Sequence, residues 1–483
     1  MTEITERQLQ GLLFPTINNA AGEVIAQGVG LSSGVATGRV IKSVGSLFDL
    51  DDGNLIYCKD RLSGADLALL SDRRIMGYAV KEADEASHEV IILRASGVPL
   101  VGGINVSEIC ARDVTINGND GFVYSGLSEI TKPDLGSMVV KDAIAELVRN
   151  SRITVRANAD TPLQTRTARL LGARGLGPVR TEYMFYQDGR LPVMQRFILM
   201  GDDSALEELA KMQEADFKGI YTEMQGFPVG IRLFDPPFNE FCPKSEDEVR
   251  RLAVTIDVSY STLVERINNL AQDNPMLAVR GARLGILQPE VYKMQIYAAF
   301  NAAASLLKQG YDIKPDITVP FVGLPKEMEI IRRYIDDIAG EVGRKEDVSI
   351  NYTVTAMIEL PIACYSAQGI AESVDGFSFG TNDLAQTMYG MSRTDMGDCL
   401  RTYREAGIID TSPFSVLSDE LVELVSLGIE RGRKGNKDLQ VGVCGEQAAS
   451  SDSVMKCINA GLDYVSCSPY RVPFVNLAAQ KGV

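Results

Sequence analysis

From residue 152 onward, short apolar runs alternate with longer stretches whose apolar residues recur every three or four positions, the βα rhythm of a parallel sheet. Eight runs read as strands: 153–159 (ITVRANA), 175–182 (GLGPVRTE), 229–235 (VGIRLFD), 276–281 (MLAVRG), 317–323 (ITVPFVG), 353–361 (TVTAMIELP), 376–383 (GFSFGTND) and 439–446 (LQVGVCGE). The segments between them, PEVYKMQIYAAFNAAASLLKQG and SDELVELVSLGIERGRKG among others, carry an apolar face and a Gly near the C-terminal end, as helices do. Eight βα units predict a (β/α)8 TIM barrel over 151–483. Between the third and fourth runs, SEDEVRRLAVTIDVSYSTLVERINNLAQ has its own helical pattern, so an insertion outside or over the barrel mouth is expected.

Upstream the pattern differs. GVATGRVIKS, NLIYCKD, RIMGYAVKEA and DVTINGNDGFVYSG read as short strands, the last with an N-D-G turn signal. One helix, HEVIILRASG, starts at Ser87-His88 and ends at Gly97, with Ser87 as N-cap. The expected organisation is an N-terminal linker (1–27), a small β/α domain (28–127), a linker helix within 128–150 and the barrel (151–483). The fold class is α/β throughout.

Charge narrows the function. The chain has 48 Lys and Arg against 64 Asp and Glu, a formal net charge of −16, so it offers no general attraction for nucleic acid or an anionic membrane. No apolar run reaches the 18 or so residues of a membrane span, and the polar start MTEITERQLQ is not an export signal. The eight cysteines form no C-x-x-C pair, which argues against a disulfide scaffold or structural zinc and for a reducing cytoplasm. His88 is the only histidine, so imidazole chemistry is confined to one position.

In a (β/α)8 barrel the loops after the strands converge on one mouth. Polar residues fall there: Arg180 after the second run, Arg232 and Asp235 after the third, Arg280 and Arg283 after the fourth, Glu359 after the sixth, Asn382 and Asp383 after the seventh, Cys444 and Glu446 after the eighth. Any of the arginines or acids alone could be a loop-base ion pair, and Cys444 alone an inert small hydrophobe. Their convergence favours a ligand site. Glu359 and Asp383 suit a hard cation such as Mg²⁺, and the arginines suit a carboxylate or phosphate, so the implied ligand is a small phosphorylated acid. The glycines of 172–177 read as a tight turn, and GRKGNK as a solvated helix end.

The motifs RTEYMF, RLFDPPFNEFCP, NPMLAVRGARLGI, MIELP, SFGTNDLAQ, CGEQ and LDYVSCSPYRVP occur in that order. With them the chain resembles the pyruvate phosphate dikinase family of phosphoenolpyruvate (PEP)-utilising enzymes, from about residue 12 to the end. The likeness is to its C-terminal part, the swivelling phosphohistidine domain followed by the PEP/pyruvate-binding barrel. PEP synthase and Enzyme I of the sugar phosphotransferase system are related. The resemblance implies that Arg180, Arg232, Glu359, Gly380, Thr381, Asn382, Asp383 and Arg393 bind PEP, that Glu359 and Asp383 ligate Mg²⁺, and that Cys444 is the acid and base at the methylene carbon. It implies that His88 carries the phosphoryl group, with Arg94 six residues on. It also implies a homodimer formed through the barrel.

Two departures bear on this. The family's N-terminal ATP-grasp domain has no counterpart here, which implies a separate subunit for the nucleotide half reaction, another phosphoryl acceptor, or a sequence that is a piece of a longer one. Around the histidine, G-G-x-T-S-H-A is replaced by Ala83-Asp84-Glu85-Ala86-Ser87-His88-Glu89, losing glycines and a hydroxyl and adding negative charge beside a dianionic group. The usual CGEHGG becomes Cys444-Gly445-Glu446-Gln447-Ala448-Ala449. Three readings follow: a PEP–pyruvate phosphotransferase, an enzyme with barrel-only enolate chemistry and a degenerate carrier, or a non-catalytic PEP sensor. A sensor has no need of Cys444.

Overall fold

Seven of the eight apolar runs downstream of residue 152 close with one further segment, 464–467, into a parallel barrel: β11 (Thr154–Ala157), β12 (Leu176–Arg180), β13 (Pro228–Arg232), β14 (Lys314–Val322), β15 (Thr353–Ile358), β16 (Gly376–Phe379), β17 (Gln440–Val443) and β18 (Tyr464–Cys467). This computed structural model describes residues 4–20, 22–43, 53–62, 66, 74–82, 88–109, 111–186, 189–393 and 395–480. Closure comes from β18 pairing β11, with Thr154 opposite Tyr464 and Ala157 opposite Cys467.

The barrel differs from expectation in one strand. MLAVRG at 276–281 is no strand: Pro275–Leu277 is a 3-10 turn, Leu277 and Val279 are partly exposed, and Gly281 takes φ +54 at the start of a helix, Gly281–Leu287. A left-handed glycine interrupts any ladder there. The missing strand is 464–467. Arg280 and Arg283 therefore lie in the long connection after β13, and Glu359, Asp383 and Cys444 follow the fifth, sixth and seventh strands. The insertion forms helices Glu246–Thr255 and Tyr260–Leu270, which bury Val249, Leu252 and Leu263 in a satellite cluster with Leu199 and Cys242.

Inside the barrel, apolar packing gives way to a polar layer. The Arg156 guanidinium stacks 3.8 Å over the Tyr464 ring, donates to Gln440 Oε1 at 2.7 Å and lies 3.7 Å from Asp316, which accepts from Thr355 Oγ1 at 2.8 Å. Both charged side chains are about 95% buried. Breaking such a pair leaves a lone buried charge, so Arg156→Ala is expected to cost about 3–5 kcal/mol, read as a lower midpoint in urea unfolding. An unchanged midpoint would show that the layer is already hydrated.

The upstream strands are β1 (Thr16–Asn19), β2 (Val24–Gln27), β3 (Val29–Ser32), β4 (Val35–Ile41), β5 (Leu55–Arg61), β6 (Ile75–Glu82), β7 (Leu100–Gly102), β8 (Asp113–Asn117), β9 (Phe122–Ser125) and β10 (Glu129–Thr131). β1 pairs β10, and the rest form a mixed sheet in the order β2-β9-β8-β4-β5-β6-β7-β3. The N-D-G signal is the β8–β9 turn, with Gly121 at φ +80. Alternation sends Tyr57 to one face with Tyr78, Val90 and Leu93, and Ile56 and Cys58 to the other with Val101 and Ile116. The helix His88–Ser96 begins and ends as read; Ser87, its expected cap, lies outside the described residues. That helix rests on the Pro469–Arg471 turn beyond β18, and a Cβ on Gly97 (φ +65) would fall 2.5 Å from the Tyr470 ring. The first helix, Glu6–Leu13, capped by Thr5, shares a cluster with the linker helix Met138–Asn150 and with Leu477. No helix among the described residues is long and apolar enough to cross a membrane.

Candidate active site

Six of the barrel strands, β11, β12, β13, β15, β16 and β17, are followed by polar side chains that meet at the same end. Arg180 closes β12 and is held by Asp160, its backbone N–H donating at 2.8 Å, Nε at 3.1 Å and Nη2 at 2.5 Å, while its guanidinium lies 4.6 Å over Tyr183. A 3-10 turn, Thr181–Tyr186, then turns Glu182 inward to pair with Arg232 at the end of β13. Arg232 also sits 3.4 Å from Asp235. Its Nε and Glu182 Oε2 are buried with no partner, two polar atoms with hydrogen-bonding capacity to spare. Burial pushes the Glu182 carboxyl up, against the pull of Arg232.

Asp235 next takes Arg280, through Nε at 3.1 Å and Nη2 at 2.6 Å, and the same Nη2 reaches Asp383 Oδ2 at 3.0 Å. Below Arg280 lies the Phe321 ring, 4.4 Å away. Phe321 is strained: its φ is +55, where an aromatic residue is disfavoured, at a register break in β14 between Val319 and Val322. The break aims its N–H at Glu359 Oε2, 2.8 Å away. Gly281 makes room, since a Cβ there would come 2.4 Å from that of Phe321.

Glu359 follows β15 and is 3% exposed. Burial first, then Asp235 and Asp383 nearby, push its carboxyl up to about 8, against the pull of Arg280 and Arg232. Gly380 ends β16 against it, and a Cβ there would lie 2.5 Å from Glu359 Oε1. The helix Thr381–Tyr389 carries Asn382, half-buried, and Asp383, whose Oδ1 accepts from Gln386 Nε2 at 2.9 Å. Cys444 follows β17; its N–H donates to Phe379 O at 3.1 Å, and its thiol feels the charges of Glu359, Arg232 and Asp383. Burial pushes that thiol up to about 12, so it is protonated at neutral pH. Iodoacetamide should then label Cys444 at pH 7.5 at least about a hundredfold more slowly than an ordinary thiol, since the thiolate is the reactive form, as peptide mass mapping would show. Rapid labelling would mean a thiolate at rest.

Gln447 donates to the Thr381 carbonyl at 3.1 Å and ties the loop after β17 to the one after β16; its Oε1 and the Thr381 hydroxyl are buried without partners. Arg393 donates its N–H to Gln386 Oε1 at 2.8 Å, and its side chain faces Asp383, Tyr183, Glu446 and Glu89, with burial lowering its pKa. Glu89 is the residue after His88. The first turn of the His88 helix is thus within electrostatic reach of the barrel mouth. Arg94 turns away, donating Nε to Leu31 O at 2.5 Å and lining a cleft with Arg471.

So Arg180, Arg232, Glu359, Gly380, Thr381, Asn382, Asp383, Arg393 and Cys444 gather at one end of the barrel, with Glu89 of the His88 helix within electrostatic reach of Arg393. Asp160, Glu182 and Gln386, absent from the residues singled out in the sequence, hold the arginines and Asp383. Glu182 stands two residues after Arg180, and only the strand-to-turn geometry reveals its pairing. Among the described residues no three His, Cys, Asp or Glu side chains are arranged to hold a metal ion. Glu359 and Asp383 still fit one, because a hard cation such as Mg²⁺ commonly takes two carboxylates and completes its shell with water and substrate oxygens.

Residues 136–482 match the family model described as "PEP-utilising enzyme, PEP-binding domain". Among curated proteins, the chain is 38% identical to pyruvate, phosphate dikinase of Rhizobium meliloti (strain 1021), over 100% of this chain and 56% of that one. Identity is 37% to pyruvate, phosphate dikinase 1, chloroplastic, of Oryza sativa subsp. japonica, covering 98% and 52%, and 34% to pyruvate, phosphate dikinase of Giardia intestinalis, covering 94% and 54%. The chain spans about half the length of the curated relatives it matches.

Proposed function

Because the chain belongs to the family of PEP-utilising enzymes, we propose that it interconverts PEP and pyruvate at this mouth, passing the phosphoryl group to and from His88. The observation that carries this reading is the convergence of two acids, several arginines and one protonated thiol, with Glu89 of the helix that His88 starts acting on Arg393. Arg180 and Arg232 bind the carboxylate and phosphoryl group of the substrate. Glu359 and Asp383 would hold a divalent cation, Mg²⁺, which when bound would supply positive charge against the enolate oxygen. A His88 ring nitrogen attacks phosphorus; the N–P bond forms as the bond from phosphorus to the enol oxygen breaks. The Cys444 S–H gives its proton to the methylene carbon of the enolate, forming the pyruvate methyl group, and solvent reprotonates the thiolate. Arg393, acted on by Glu89, helps dock the helix start that carries the phosphoryl group. The final phosphoryl acceptor belongs to a separate ATP-grasp unit or another partner, and the exposed Leu324, Ile362 and Tyr365 offer apolar surface for a homodimer. Eight cysteines without a C-x-x-C pair support a place in a reducing cytoplasm.

Incubation with PEP and Mg²⁺ should add one acid-labile phosphoryl group to the intact chain, and His88→Ala should abolish it. A second reading, barrel-only enolate chemistry, is favoured by Glu89, whose negative charge faces Arg393 beside the carrier. It predicts no adduct, but exchange of pyruvate methyl protons that depends on Cys444 and not on His88.

A further inference from the structure

Asp383 has both carboxylate oxygens engaged by the chain's own donors: Oδ1 by Gln386 Nε2 at 2.9 Å and Oδ2 by Arg280 Nη2 at 3.0 Å. Arg280 is itself gripped by Asp235, through Nε at 3.1 Å and through that same Nη2 at 2.6 Å, and seated on the Phe321 ring. Its guanidinium thus spans the gap between Asp235 and Asp383 like a resident cation. A divalent cation drawn to Asp383 has to compete with that guanidinium for the same oxygen. An anion entering the mouth offers Arg280 the alternative partner that would release Asp383.

We propose that Arg280 is a positioning residue that couples the two ligands of the site, handing Asp383 over to a divalent cation as its own Nη2 turns to a bound anion. This rests on the reading of Glu359 and Asp383 as cation ligands. Whatever one ligand gains from the release, the other must gain equally, so cation and anion tighten each other's binding beyond any direct contact between them. Arg232 cannot serve in this way, because its partners are Glu182 and Asp235. Arg283 cannot either: it shares the Phe321 ring, at 5.1 Å, but donates to the Leu277 and Ala278 carbonyls.

The test is direct Mn²⁺ binding to the full chain, measured by electron paramagnetic resonance of free Mn²⁺ with and without saturating oxalate, a planar dianion. Part of the oxalate effect is direct chelation and persists in every variant. Arg280→Lys keeps the charge but loses the forked grip on Asp235 and the shared Nη2 bridge to Asp383; it should bind Mn²⁺ alone several-fold more tightly than wild type and show an oxalate-induced gain smaller by about tenfold. Arg280→Gln should lose the same share, which guards against one variant folding poorly, whereas Arg283→Gln should keep the wild-type gain. An equal gain in wild type and both Arg280 variants, or an equal loss in Arg283→Gln, overturns the coupling. Absence of Mn²⁺ binding under all conditions would remove the cation ligands themselves, and the coupling with them.

Discussion

Cys444→Ala is expected to slow proton exchange at the methyl group of pyruvate by about 10³-fold, the usual worth of a positioned general acid, while PEP binding stays within a few-fold of wild type. In the proposal the thiol carries out the proton step: of the groups that act on it, Glu359 and Asp383 are committed to the cation, Arg232 stays charged, and the Ser378 hydroxyl, a hydrogen-bond partner of the thiol, is a weaker acid. Cys444→Ser tests the chemistry against the packing. A hydroxyl fills nearly the same space but is a far weaker acid, so it should recover binding without recovering exchange. Exchange that survives in both variants, followed by proton NMR in deuterium oxide, would move the proton donor elsewhere.

Arg232→Gln is expected to weaken PEP binding and turnover together by about 10²–10³-fold, the cost of removing one fixed donor from charge that the reaction must stabilise. The same change strands Glu182, buried and paired with this arginine, whereas Asp235 keeps Arg280. Stability should therefore drop as well, by an amount typical of a broken buried pair, about 3–5 kcal/mol. The double variant Arg232→Gln, Glu182→Gln separates the effects: neutralising the stranded acid should restore much of the unfolding midpoint and none of the activity. Recovery of both would make Arg232 a structural residue. Titration calorimetry with PEP and chemical denaturation read the two quantities independently.

Much of this architecture was legible because periodicity is a direct imprint of burial. The runs now seen as β11 to β17 lie where apolar residues bunch, apart from the 276–281 segment, and the helix at His88 begins and ends at the residues its pattern marks. The misread segment shows the limit. MLAVRG has the composition of a strand, yet Leu277 and Val279 lie partly exposed in the connection after β13, and the true closing strand, 464–467, is only four residues long between turns. Such a strand carries almost no periodic signal. For the site, the residue types at strand ends could be read, since a barrel gathers them at one mouth by topology alone. Their pairings could not. Asp160 with Arg180 spans 20 residues and Arg280 with Asp383 spans 103, contacts that only the closed barrel creates. Nor does any pattern mark Phe321, whose positive φ is imposed by the break in β14; the nearby Gly281, which yields the space, was visible but read as part of a strand.

The most direct measurement is a crystal of the full chain soaked with Mn²⁺ and oxalate, which stands in for the enolate of pyruvate. The account predicts anomalous density for the cation against Glu359 and Asp383, with oxalate reaching Arg180 and Arg232 and one face turned to the Cys444 thiol. Cation and anion bound at separate places, or an empty mouth at saturating concentrations, would contradict it.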